Sequence, residues 1–206
     1  VDKIAFTGST EVGKKIHRET AGTLKRVSLE LGGKSPNIVF ADADVEAAVQ
    51  GALMGVFFNQ GQVCCAGTRL FVEQKMHDEF ADALAKHAGS IPQGHGLDPS
   101  TQIGPLVSKE QLDRVTGYLE IGKKEGAKAI AGGERNTSPG LEGGYFVKPT
   151  VFTGVKNDMR IAQEEIFGPV VSVIPFKDEH DAVLQGNNTF YGLAAGVWTR
   201  DVSKAH

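Results

Sequence analysis

Three short stretches of the chain hold residue types that could do chemistry. Gly8-Ser9-Thr10-Glu11-Val12-Gly13-Lys14-Lys15 fits the G-x-x-x-x-G-K spacing of a phosphate-binding loop. The Ser or Thr that would hold a magnesium ion is Lys15 here, which argues against nucleotide triphosphate hydrolysis. A glycine turn between a strand and a helix still favours an anion, because free N–H groups and the helix dipole point at it. A cofactor pyrophosphate would suit the turn without a metal. The competing reading is a plain turn with Gly13 packed on the strand. In Leu29-Glu30-Leu31-Gly32-Gly33-Lys34 a carboxylate ends an apolar strand against two glycines. Such a setting raises a carboxyl pKa and suits a general base. The alternative is a Glu30 that faces solvent or pairs with Lys34.

The third stretch is Phe58-Asn59-Gln60-Gly61-Gln62-Val63-Cys64-Cys65-Ala66-Gly67. A cysteine in a glycine-containing loop after a helix can be exposed, with its thiolate stabilised by backbone N–H groups. Against this stands the commoner fate of free cysteines as small buried hydrophobes. A redox pair is weaker, because neighbours in sequence make a strained disulfide. Histidine discriminates between the thiol chemistries. A papain-like hydrolase needs a His base beside its Cys. His17, His77, His87 and His180 fall on predicted helices rich in charge and read as solvated, and His95 lies in a loop. None has metal spacing with the cysteines. A cysteine and a glutamate without histidine point to a base that activates water.

Alternating strands and helices must position these residues. Strands are expected at 3–7, 24–31, 37–40, 69–72, 127–131, 150–153, 169–176 and 193–198. Helices are expected from Glu11 to Thr20 (capped by Ser9 or Thr10), from a cap at Asp42 or Asp44 to Phe57, at 75–88, 109–125 and 178–186. Phe80, Leu84 and Ala88 share one face of the 75–88 helix. The proline-bearing segment 89–107 and the loop 132–144 should be irregular. This order predicts an α/β fold with an open, mostly parallel twisted sheet and flanking helices.

The chain has 206 residues, 22 Lys+Arg and 25 Asp+Glu, a formal net charge of −3, and 40% hydrophobic residues. These are the proportions of a globular protein. There is no basic excess for nucleic acid and no apolar run long enough for a membrane span. Its only two cysteines are adjacent, which excludes a disulfide scaffold. It enters on a strand at Val1-Asp2-Lys3 and stops in what reads as the first turn of a helix at 201–206. The expectation is a piece of a longer protein. The absence of a targeting segment gives a cytoplasmic expectation.

Taken together and in order, these stretches resemble the aldehyde dehydrogenase superfamily. Phe6-Thr7-Gly8-Ser9-Thr10-Glu11-Val12-Gly13 resembles its cofactor turn. Leu29-Glu30-Leu31-Gly32-Gly33-Lys34-Ser35-Pro36 resembles its glutamate motif, and Gly61-Gln62-Val63-Cys64 its cysteine motif. Glu164-Glu165-Ile166-Phe167-Gly168-Pro169 and Asn187-Asn188-Thr189-Phe190-Tyr191-Gly192-Leu193 match as well. The resemblance implies an aldehyde oxidised to a carboxylic acid with NAD or NADP, NAD favoured, through a thiohemiacetal and a thioester. It implies Cys64 as nucleophile, Cys65 as bystander and Glu30 as general base. It implies cofactor contacts from Gly8, Ser9, Gly13, Leu31, Gln111, Glu165 and Phe167, and no metal. Residues 1–32 would be the end of a Rossmann-like cofactor domain and 33–206 a truncated catalytic domain. The partners implied are a small-molecule aldehyde and further copies of the parent in a dimer or tetramer, with neither nucleic acid nor membrane. Much of the nucleotide sheet and the oxyanion asparagine of the family lie before the region matched. The 206 residues alone should therefore not oxidise aldehydes, and a non-catalytic domain associated with intact subunits is the alternative role.

Overall fold

The computed structural model describes all 206 residues. Its first unit is β1 (Lys3–Thr7), α1 (Thr10–Thr20) and β2 (Arg26–Glu30). The two strands pair in parallel, with Thr7 opposite Glu30, and α1 is the crossover. Ser9 caps α1 by accepting from the Val12 N–H at 3.3 Å.

The rest of the chain builds a six-stranded sheet. It comprises β3 (Pro36–Val39), α2 (Val45–Phe57), β4 (Arg69–Glu73), α3 (His77–Gly89), α4 (Lys109–Lys124), β5 (Lys128–Ala131), β6 (Thr150–Thr153), α5 (Arg160–Gln163), β7 (Val170–Phe176), α6 (Glu179–Asn187), β8 (Gly196–Trp198) and α7 (Val202–Ala205). The strand order is β5-β6-β7-β4-β3-β8. Every pairing is parallel except β5 with β6. Buried side chains alternate between the two faces. Leu70, Val72, Val151, Val171 and Val173 pack under α2 and α3, with Ala48, Ala52, Phe80 and Leu84. Phe71, Phe152, Val170 and Ile174 pack under α4, with Leu112, Val115 and Leu119. A strand covered on both faces reads as a continuous apolar run, as Leu70-Phe71-Val72 does.

The mostly parallel α/β sheet agrees with the sequence. Several local expectations needed correction. The second strand starts at Arg26 rather than Leu24, which is fully exposed in the preceding turn. The helix expected from Lys75 begins at His77, after a short 3-10 turn. The last strand is only Gly196–Trp198. His77 is buried rather than solvated, because it shares the apolar stripe of Phe80, Ala81, Leu84 and Ala88. His17, His87 and His180 are exposed as expected. Segment 89–107 is irregular apart from an isolated bridge between Gln93 and Ile103. No helix is long and apolar enough to cross a membrane.

Candidate active site

The thiol loop leaves α2 through a backbone that few residues tolerate. Asn59, Gln60 and Gly61 are all left-handed, with φ of 50°, 58° and 68°. Each such non-glycine residue costs on the order of 1 kcal/mol, so the surroundings must hold it. Gly61 is pressed against the Gly168 carbonyl, and a Cβ there would sit 2.1 Å from that oxygen. Asn59 Nδ2 donates to the Gln62 carbonyl at 3.1 Å. The Val107 N–H donates to Gln62 Oε1 at 3.1 Å. The Gly67 N–H returns to the Gly55 carbonyl at 3.1 Å and closes the loop on α2. Cys64 is half-buried and Cys65 exposed, and both are free. Neither is a small core hydrophobe. The Cys64 N–H has no backbone partner in the chain.

Two glycines join this loop to the other segments. A Cβ on Gly33 would lie 2.3 Å from the Cys64 carbonyl oxygen, and one on Gly32 would lie 2.6 Å from Glu165 Oε2. The Gly33 N–H donates to Glu165 Oε1 at 3.1 Å. The adjacent Glu164 turns elsewhere, accepting from Tyr118 Oη at 2.7 Å and pairing with Arg160 at 2.8 Å. Phe167 is left-handed with φ of 60°. α4 clamps this stretch: Gln111 Nε2 donates to the Phe167 carbonyl at 2.6 Å and the Ile166 carbonyl at 3.1 Å. Arg114 Nη2 donates to the Glu165 carbonyl at 2.5 Å. Ser108 caps α4 by accepting from the Gln111 N–H at 3.2 Å.

One cavity of about 560 Å³ has these segments as its walls: Thr7, Gly8, Ser9, Leu31, Gly32, Gln62, Val63, Cys64, Gln111, Arg114, Glu165 and Phe167. It gathers seven of the nine residues expected at the site: Cys64, Gly8, Ser9, Leu31, Gln111, Glu165 and Phe167. Gly13 and Glu30 are not among its walls. Gly13 is buried in α1, and a Cβ there would meet Leu31 Cδ2 at 2.4 Å, so it packs behind Leu31. The side chain of Glu30 is exposed at the end of β2, so the apolar enclosure expected around it is not formed. It makes no ion pair with Lys34, which is buried. Arg114 was not foreseen. Its signal was helical spacing, since Gln111 and Arg114 lie three apart on one face of α4. No group of three or more His, Cys, Asp or Glu side chains could hold a metal.

The whole chain matches the family model "Aldehyde dehydrogenase family" over residues 1–206. The chain belongs to this family. It is 57% identical over 206 residues to the Bacillus subtilis protein DhaS, covering 100% of this chain and 41% of that one. It is 51% identical over 204 residues to a Bacillus subtilis betaine aldehyde dehydrogenase, covering 99% of this chain and 42% of that one. An NAD+ complex of an aldehyde dehydrogenase from Bacillus cereus superposes with a TM-score of 0.96 at 54% identity, over 100% of this chain and 41% of that one. The chain thus spans about two fifths of the length of the aldehyde dehydrogenases it matches.

Two basic residues next to the loops of this site, Lys34 and Arg69, are buried. Burial, and then the charge of Arg69, push Lys34 down to about 7; Glu165 and Glu164 oppose the shift. Burial lowers Arg69 to about 10. Unfolded, Lys34 titrates near its ordinary value of 10.5. Between those two values the unfolded chain binds more protons, so Lys34 makes stability rise with pH. Relative to Lys34→Met, the unfolding free energy in urea should climb by roughly 3 kcal/mol from about pH 7 to about pH 9.5. A pH-independent difference between the two proteins would contradict this titration.

Proposed function

We propose that these residues are the thiol-bearing part of an NAD+-dependent dehydrogenase that oxidises an aldehyde to a carboxylic acid. One observation carries the reading: Cys64, the Glu165 carboxylate and the turn that opens α1 are walls of one cavity. Residues 1–32 would belong to the cofactor-binding domain and 33–206 to the catalytic domain. The cavity suits a dinucleotide by its donors and acceptors. Free N–H groups at the start of α1 suit a pyrophosphate beside Gly8 and Ser9. Glu165 offers a carboxylate to a ribose diol, and the bare Gly32 leaves the space that carboxylate needs. Leu31 and Phe167 supply apolar wall for a nicotinamide ring. NAD rather than NADP is favoured by the NAD+ complex of the Bacillus cereus relative.

The chain's own groups then act in sequence. The Cys64 thiolate adds to the aldehyde carbon and forms a thiohemiacetal. Its alkoxide can take the unpaired Cys64 N–H as a donor. A nicotinamide held against Leu31 and Phe167 would supply the hydride acceptor, which leaves a thioester on Cys64. Glu30 accepts a proton from the water that releases the acid. Its exposed side chain is free to turn, and its neighbour Leu31 already lines the cavity.

In the full-length enzyme, Cys64→Ser should lower turnover by at least about a thousandfold. Cys65→Ser should leave it within roughly twofold, since a surface thiol beside the nucleophile contributes no bond to the reaction. A Cys64→Ser enzyme that still produces NADH would sink the assignment. Glu30→Gln should reduce steady-state turnover by about 10²–10⁴-fold and leave the first burst of NADH intact. Loss of the burst in stopped flow would instead place Glu30 at thiol activation. The 206 residues by themselves should yield no NADH from any aldehyde and bind no NAD+ by calorimetry. Their first unit is a sheet of only two strands, and a two-stranded sheet is marginal alone. Micromolar binding with steady turnover would reverse that conclusion.

A further inference from the structure

We propose that Arg69 is the positioning residue that fixes the thiol loop against the glutamate-motif loop. The inference rests on Cys64 being the nucleophile. Arg69 opens β4 directly after the thiol loop and is fully buried. No carboxylate pairs with it. Its guanidinium serves carbonyl and amide oxygens from three other segments. Nε donates to the Lys34 carbonyl at 2.8 Å. Nη1 donates to the Gln185 carbonyl at 3.1 Å and Asn157 Oδ1 at 3.3 Å. Nη2 donates to the Gly186 carbonyl at 2.8 Å. The group also lies 5.3 Å from the centre of the Phe71 ring.

A guanidinium holds its donors in one rigid plane, so oxygens bonded to it take up a fixed mutual spacing. One of those oxygens belongs to Lys34, the residue after Gly33. Gly33 touches the Cys64 carbonyl and gives its N–H to Glu165. A shift at Arg69 therefore reaches both the thiol and the Glu165 carboxylate through one peptide unit. Arg69 is not a wall of the cavity, so its contribution is to geometry rather than to contact with substrate.

The test uses the full-length enzyme with Arg69→Lys, Arg69→Met and the milder Asn157→Ala. The first readout is iodoacetamide labelling of Cys64 relative to Cys65 in the same molecule, by mass spectrometry. The second is kcat beside NAD+ affinity. Both Arg69 variants should lower the Cys64:Cys65 ratio about tenfold and kcat about 10²-fold, with NAD+ affinity falling as well but by less than kcat, because an ångström of misplacement is felt most at the reacting atoms. Asn157→Ala should move both readouts the same way by less, and it decides the matter where the Arg69 variants do not fold. An unchanged ratio in folded variants overturns the proposal. So does equal acceleration of labelling at both cysteines, the mark of a residue that only stabilises the fold. A Cys64→Ser control separates the two readings: residual turnover there sinks the proposed function, whereas a dead Cys64→Ser beside unaltered Arg69 variants sinks this inference alone.

Discussion

The site depends on a contact that admits no side chain. At Gly33 the space where a Cβ would stand is within 2.3 Å of the Cys64 carbonyl oxygen, and at Gly32 it is taken by the Glu165 carboxylate. A crowded side chain can swing aside, but a crowded backbone carbonyl cannot move without its loop. The approach at Gly33 therefore fixes the distance between the loop before β3 and the loop before β4. Because the Gly33 N–H also holds Glu165, the loop before β7 is fixed to the same point. Parallel pairing of β3 with β4 and β4 with β7 brings the three loops to one edge of the sheet. The glycine pair then sets their spacing to within a hydrogen bond.

Strain gathers around this point. Asn59, Gln60 and Phe167 adopt left-handed backbone that ordinary residues avoid. Asn59 and Phe167 are each held by something specific. Asn59 has its own amide on Gln62, and Phe167 has the amide of Gln111 on its carbonyl. Such residues persist only where the surroundings over-determine them. The core supplies the excess: α4, which carries Gln111 and Arg114, is anchored by Leu112, Val115 and Leu119 against the sheet.

Much of this was legible in the sequence, and the remainder failed for physical reasons. Glycine and cysteine spacing marked the three loops, because their close backbone approaches leave room only for glycine. Strand direction was not legible: β5 runs antiparallel to β6, and a short apolar run carries no sign of orientation. α5 has four residues, fewer than a periodic pattern needs. Helical spacing sets Arg114 beside Gln111, but its target is a backbone carbonyl that the sequence does not mark. Lys34 read as a solvent-side partner for Glu30, yet it is buried, because the chain turns inward at Gly32-Gly33 and the strand's alternation no longer applies. His77 was hidden by the charges beside it, one of which, Asp78, meets its Nδ1 at 2.7 Å from the solvent side.

The two sheets meet the cavity by opposite ends, and this sorts the charges. Gly8 and Leu31 follow the carboxyl ends of β1 and β2, the usual place for a ligand on a parallel sheet. Gly33, Cys64 and Glu165 precede the amino ends of β3, β4 and β7. A crossover helix runs back against its strands, so its N-terminus stands at their carboxyl edge and its C-terminus at their amino edge. The first sheet therefore presents the start of α1, whose free N–H groups suit an anion. The second sheet presents helix C-termini, whose free carbonyls suit cations. Arg69 is bound there by the Gln185 and Gly186 carbonyls in the last turn of α6. That explains how an arginine can be fully buried without a carboxylate: the helix end supplies the negative charge and the acceptors together. Lys34, beside it, finds no such carbonyl set and loses its proton near neutrality. The same topology thus gives one edge free N–H groups that suit an anion and the other a set of carbonyls that accept from a buried guanidinium.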